Sequence, residues 1–193
     1  GQLSGVSDPR ENSQTGVAAT GTGKQTLSFT YDSYGRQSEV RLNGQLVESY
    51  SYTAGGDLEA TQVYGKFDAG NTADYLRTAY TYNSLGLVTK TETQGYGGVS
   101  GKKEQIDLTY DNVGNIRTEQ TYTNYGTAKT VNKAYEYDTV GRLTKSTIDG
   151  KATSYTYDAV GNRLTQTSEG KTLSYNYNNL NQLTSIKEGN TTV

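Results

Sequence analysis

The chain has 193 residues, with 18 basic and 20 acidic side chains and no His, Cys, Met or Trp. A formal charge of −2 excludes the concentrated basic face that nucleic acid requires, and the lack of Cys excludes disulfide staples and thiolate chemistry. Leu, Ile, Val and Phe total only 32 residues, whereas Tyr alone supplies 18 and Thr 30, so the chain must bury area through tyrosine on half-covered pleated surfaces. No run reaches the roughly 18 apolar residues of a membrane helix, and no signal peptide is visible. The opening Gly1, in place of an initiator Met, suggests a piece cut from a longer chain.

Residues 1–23 hold the only proline, Pro9, and a Gly-Thr-Gly at 21–23. They read as an N-terminal linker or extended segment, with a repeat array occupying 24–193. The array is built on one phrase, an aromatic pair spaced i, i+2 followed by a tight-turn signal. It begins with Phe29-Thr-Tyr31-Asp32-Ser-Tyr-Gly35-Arg36, then Tyr50-Ser-Tyr52, Tyr80-Thr-Tyr82-Asn83-Ser-Leu-Gly86 and Leu108-Thr-Tyr110-Asp111-Asn-Val-Gly114-Asn115. It continues with Tyr135-Glu-Tyr137-Asp138-Thr-Val-Gly141-Arg142, Tyr155-Thr-Tyr157-Asp158-Ala-Val-Gly161-Asn162 and Tyr175-Asn-Tyr177-Asn178-Asn-Leu-Asn181. The second aromatic therefore recurs at intervals of 21, 30, 28, 27, 20 and 20 residues. That periodicity marks a stack of small units rather than one globular core.

From Lys145 to Gly189 two turn signals alternate, Asp-x-x-Gly and x-Gly-Lys, the latter at Asp149-Gly150-Lys151 and Glu169-Gly170-Lys171. The runs between them are short, alternating and rich in Thr and Tyr, which predicts strands. Asp at the start of a turn accepts from backbone N–H groups two residues on, and Gly three residues later supplies positive φ. Tyr155 and Tyr157 must share one face and Thr156 the other, because side chains alternate with period two. The longer intervals place extended hairpin tips at 63–74, 93–103 and 124–129, which makes Tyr64, Tyr96 and Tyr125 candidates for exposed contacts. The expected fold is all-β, a meander of antiparallel β-hairpin repeats forming a continuous curved or spiralling sheet, with less than about a tenth of the chain helical.

The phrase Tyr-x-Tyr-Asp-x-x-Gly-Arg, at Phe29–Arg36, Tyr135–Arg142 and (with Asn for Arg) Tyr155–Asn162, resembles the YD repeat of the Rhs family. The extensions Gly-Arg-Leu-Thr from Gly141 and Gly-Asn-Arg-Leu-Thr from Gly161 fit as well. The resemblance spans about residues 27–187. It implies hairpins joined edge to edge into a strip that spirals into a hollow shell, as in bacterial Rhs proteins, toxin-complex subunits and teneurins. It also implies repeats that catalyse nothing, and a family link to carbohydrate. Seven copies are too few for a closed shell, and the turns after Tyr52 and Tyr177 depart from the pattern.

Catalysis finds little support. There is no His or Cys, hence neither the commonest general base nor a thiol nucleophile, and no nucleophile elbow or phosphate loop. Asp32, Asp111, Asp138 and Asp158 recur once per unit, as a turn residue does and a catalytic pair does not. Arg36, Arg142 and Arg163 read as cross-strand or ring-stacking partners, and the tyrosine rows as the core that joins hairpins. The oxygen ligands in 68–74 lack the alternate spacing of a calcium loop. No enzyme activity, cofactor or metal is expected. The expected function is a non-catalytic scaffold of a large exported bacterial surface or toxin-delivery protein, extracellular or on the cell surface. The alternatives are a self-assembling fibre or tube and a carbohydrate-binding module. The expected partners are flanking repeats or copies of itself through open sheet edges, with carbohydrate as a further class and neither nucleic acid nor membrane insertion.

Overall fold

The computed structural model describes residues 5–7, 25–65 and 74–192. Its strands are β1 (Gly5–Ser7), β2 (Thr26–Tyr31), β3 (Gln37–Leu42), β4 (Gln45–Tyr52), β5 (Leu58–Tyr64), β6 (Tyr75–Tyr82), β7 (Val88–Tyr96) and β8 (Lys103–Tyr110). They continue as β9 (Ile116–Asn124), β10 (Ala128–Tyr137), β11 (Leu143–Ile148), β12 (Lys151–Tyr157), β13 (Arg163–Ser168), β14 (Lys171–Tyr177), β15 (Leu183–Glu188) and β16 (Thr191–Thr192). Among the described residues the sole helical element is one 3-10 turn, Gly97–Val99. Among the described residues no helix is long and apolar enough to cross a membrane.

The chain divides into two compact units, residues 1–105 with 123–128, and residues 106–122 with 129–193. Within each, strand follows strand in chain order and every described pairing is antiparallel. This is the expected all-β meander of hairpins. In the first unit β5 and β6 pair from Ala60↔Ala79 to Tyr64↔Tyr75, and β6 and β7 from Tyr75↔Tyr96 to Tyr82↔Val88. In the second, β12 pairs β13 from Thr153↔Ser168 to Tyr157↔Arg163, and β14 repeats the pattern on β15 from Leu173↔Glu188 to Tyr177↔Leu183.

A plain period-two reading misses one recurrent detail. The register shifts by one residue at Thr30/Tyr31, Ser51/Tyr52, Thr81/Tyr82, Glu136/Tyr137, Thr156/Tyr157 and Asn176/Tyr177. Each shift is a bulge, in which one residue of the returning strand has no opposite number. Leu164 is that residue in the β12–β13 hairpin. The second tyrosine of every phrase with a described hairpin thus stands where the ladder is interrupted.

The core is thin. Among the described residues the buried apolar side chains are Val40, Ala60, Tyr64 and Tyr175, and none is completely enclosed. The phrase tyrosines Tyr137, Tyr155, Tyr157 and Tyr177 are half-buried, while Thr156 and Asn176 between them are exposed. The expected sorting of faces therefore holds on β12. A sheet that covers its side chains only partly favours tyrosine over leucine, because the ring buries area while the hydroxyl finds a polar partner.

The exposure expected of two tip tyrosines is corrected. Tyr64 is 8% exposed and packs at 5.5 Å on Tyr75, whose ring stacks at 4.6 Å on Tyr96. These two tip tyrosines join a three-ring cross-strand cluster rather than facing outward, because β5, β6 and β7 extend far enough to pair them. Tyr125, 56% exposed, meets the expectation. Within the N-terminal linker segment, residues 5–7 form β1 and pair with β2 from Gly5↔Ser28 to Ser7↔Thr26, and the rest lies outside the described residues. So do residues 68–73 of the acidic stretch weighed for calcium.

Candidate functional site: the seam between hairpins

Each turn is closed by its first residue. Asp138 Oδ1 accepts the backbone N–H of Val140 at 3.0 Å and of Arg142 at 2.9 Å. The backbone adds Asp138 N–H to the Arg142 carbonyl at 2.9 Å and Gly141 N–H to the Asp138 carbonyl at 3.0 Å. Asp32, Asp111 and Asp158 repeat the pair of side-chain bonds. Asn83 and Asn178 do the same through their amide oxygens. After Tyr52 the residue is Thr53, whose hydroxyl accepts only Asp57 N–H, at 3.1 Å. Gly35, Gly86, Gly114, Gly141 and Gly161 all have φ between 76° and 100°, and Asn181 occupies the same position at 59°. The departures after Tyr52 and Tyr177 therefore keep the turn, since Asn also tolerates the left-handed region. The opposite hairpin ends are type I′ turns, with φ of 47° and 84° at Asp149 and Gly150, and 49° and 79° at Glu169 and Gly170.

The second tyrosine of a phrase reaches back to the preceding hairpin. The Tyr157 hydroxyl donates to the Leu143 carbonyl at 2.7 Å, and Tyr177 donates to Arg163 at 3.0 Å. Tyr52 donates to Gln37, Tyr82 to Leu58 and Tyr137 to Ile116, at 2.8, 2.8 and 3.0 Å. In all five cases the acceptor lies five residues after the residue that opens its turn, beside the bulge. A bulge disrupts the ladder, and a side-chain donor at this carbonyl serves the backbone acceptor as a strand neighbour would. Tyr31 and Tyr110 occupy the corresponding half-buried places on β2 and β8.

Arginine bridges the same seam. Arg142 Nε donates to Asp138 Oδ2 at 2.6 Å, its Nη1 donates to the Asp158 carbonyl of the next turn at 2.9 Å, and its guanidinium lies 5.0 Å from the Tyr157 ring centre. Arg36 combines a 2.7 Å bond to Asp32 with a 4.4 Å approach to the Tyr52 ring. Arg163 lies 4.2 Å from the ring of Tyr175. Where Asn replaces Arg, Asn162 Nδ2 donates to Asp158 Oδ2 and across to Asn181 Oδ1, at 2.8 and 3.0 Å. One carboxylate, one cation or amide and one ring thus form a unit that spans two hairpins. On the other face short polar pairs close the ladder, as in Thr109–Thr118 and Thr156–Thr165 at 2.6 Å, Thr30–Ser38 at 3.0 Å and Asn176–Ser185 at 3.1 Å.

The titration of the turn carboxylates follows from these donors. The backbone N–H of Arg142, outweighing partial desolvation and aided by its guanidinium, holds Asp138 below the ordinary 3.8. The Asn115 side chain does the same for Asp111. For Asp32 and Asp158 the hydrogen bonds outweigh a desolvation that acts in the opposite direction. A carboxyl with a depressed folded-state pKa contributes stability that is present above its unfolded value and is lost as pH falls through the folded value. The denaturant midpoint should therefore fall as the pH drops below the ordinary carboxylate range, about 4. Asp138→Asn should flatten part of that fall, and an unchanged midpoint in wild type would contradict the capping role. Tyr50, desolvated and donating to Glu48, is pushed up to about 12.

A cavity of about 100 Å³ in the first unit is lined by Ser49, Tyr50, Ser51, Ala60, Gln62 and Arg77. It holds no carboxylate–nucleophile pair. Among the described residues no cluster of three metal-ligating side chains occurs. Sequence reasoning missed the hydroxyl-to-carbonyl bonds and the bulge that accompanies them. The signal present was the residue added after each Gly-Arg or Gly-Asn, as in Gly161-Asn162-Arg163-Leu164-Thr165, which breaks the count of two.

Among curated proteins none matches the chain. Solved structures that resemble it include a crystal structure of TcdB2-TccC3-TEV, 13% identical with a TM-score of 0.38, and the Photorhabdus luminescens Tc holotoxin pore, 13% identical with a TM-score of 0.30. They cover 86% and 84% of this chain. The chain spans 12% of each of theirs. The YD-repeat resemblance carried by the tyrosine–aspartate phrases is borne out over the second half of the array, where residues 99–192 match the Teneurin YD-shell family.

Proposed function

We propose that this chain is a non-catalytic structural segment of a YD-repeat shell, belonging to an exported bacterial surface or toxin-delivery protein and working outside the cell. The observation that carries the reading is the recurring tyrosine hydroxyl-to-carbonyl bond between hairpins, seen at five seams. Residues repeated to hold one unit on the next build a wall rather than a reaction centre. The motif residues from Tyr31 to Tyr177 serve that wall as turn caps, turn glycines and seam side chains. Its partners are further YD repeats, added at the open strand edge.

A second reading, self-assembly into a fibre or tube, draws on one feature. β16 pairs with β15 only at Lys187 and Glu188, so among the described residues no strand lies beside Leu183 to Ile186 on that edge of β15, and their backbone is open to another strand. Electron microscopy of the dilute chain separates the two. The scaffold reading expects discrete particles, and long polymers would replace it with the fibre reading. Saturable binding on a glycan array would instead establish the carbohydrate module.

A further inference from the structure

The cavity in the first unit holds an arginine that the seams do not use. Ser49, Gln62 and Arg77 stand opposite one another on β4, β5 and β6, and Gln94 continues the row on β7. Residues directly opposite share a face of the sheet, and the first three all line the cavity of about 100 Å³. Gln62 is held in place there, since its Oε1 accepts the Ser49 hydroxyl at 3.1 Å and the Tyr64 hydroxyl at 2.9 Å. With the oxygen engaged, its Nε2 remains as a donor. Arg77 is half-buried, yet among the described residues its guanidinium has no carboxylate, carbonyl or ring as partner. By contrast Arg36 and Arg142 bind turn aspartates, and Arg163 covers the Tyr175 ring.

The nearby carboxylates are committed elsewhere. Glu39, opposite Ser49, holds Arg41 at 2.9 Å. Glu92, opposite Ala79, is shared by Lys90 and Lys103 at 3.0 and 3.1 Å. Glu48 and Glu59 alternate with Ser49 and Ala60 and so stand on the other face, where Glu48 accepts the Tyr50 hydroxyl. The charge on Arg77 is therefore uncompensated, in a cavity whose neighbouring amide can donate. We propose that Arg77 and Gln62 form a binding site for the carboxylate of a small ligand. A guanidinium presents paired N–H donors that match the two oxygens of a carboxylate, and the Gln62 amide adds a neutral donor beside it. One cation balances one negative charge, which favours a carboxylate over a phosphate dianion. The space equals about three waters, enough for the acid group and a few attached atoms.

Acetate is the smallest probe, titrated into the full chain at about pH 7 and constant ionic strength. Saturable shifts of the Arg77 Nε–H and Gln62 side-chain NMR signals are expected, with a Kd of about 1–10 mM. Acetamide, its neutral twin, should give none. Arg77→Gln and Gln62→Glu should each weaken acetate binding at least about tenfold. The second variant sets a carboxylate opposite Arg77 from within and still accepts the Ser49 and Tyr64 hydroxyls, so it decides the matter if the first fails to fold. N-acetylglycine and glucuronate carry the same group, and the tighter of the two assigns its source to amino acids or to sugar acids. No saturation by about 100 mM acetate overturns the proposal. So does an equal response to acetamide, or undiminished affinity in folded Gln62→Glu.

Discussion

Tyr157→Ala is expected to destabilise the second unit by about 2–3 kcal/mol, and Tyr157→Phe by about 1 kcal/mol. The conservative change removes the 2.7 Å bond to the Leu143 carbonyl and leaves that acceptor beside a bulge without its donor. The larger change also removes the ring that Arg142 covers at 5.0 Å and the apolar area it shields, worth roughly 25 cal/mol per Å². In a sheet with so few buried side chains, nothing nearby can close over the gap. Urea unfolding followed by circular dichroism gives both values. Equal losses for Ala and Phe would assign the whole effect to the hydroxyl, whereas no loss for Phe would remove the hydroxyl from the account.

Gly141→Ala should cost about 1–2 kcal/mol, and Gly141→Val more. Gly141 has φ of 84°, and a Cβ built there meets no atom within 4 Å. The penalty is therefore one of backbone conformation, since the space is open. The same chain contains the control. Asn181 holds the equivalent position at φ of 59°, with its N–H on the Asn178 carbonyl at 3.0 Å. Gly141→Asn should accordingly recover more than half of the loss caused by Ala. Thermal melts of the three variants check the order, and an Asn variant as unstable as the Ala one would contradict it.

Much of this architecture was legible because turn chemistry and pattern agree. Asp138 and Gly141 announce their turn through residue type and spacing, and Tyr155-Thr156-Tyr157 announces its strand through alternation. What escaped was tertiary. Nothing local in Tyr157 says that its hydroxyl reaches Leu143, fourteen residues earlier, because the bond requires a bulge that only the paired strands create. Tyr64 looked like a tip residue because glycine follows it. Its burial depends on Tyr75 arriving opposite it on β6, a non-local event. Asn178 and Thr53 looked like damaged turns, yet an amide or hydroxyl oxygen accepts from backbone N–H much as a carboxylate does.

The tyrosine–arginine seam is best tested by a double-mutant cycle between Arg142 and Tyr157, using Arg142→Gln, Tyr157→Leu and the pair in the full chain. These residues belong to successive hairpins and meet only across the seam. A seam held by these side chains requires a coupling of about 0.5–1 kcal/mol in unfolding free energy. Strict additivity of the two losses would mean that strand pairing alone joins one hairpin to the next, and that the repeated phrase does not hold the wall together.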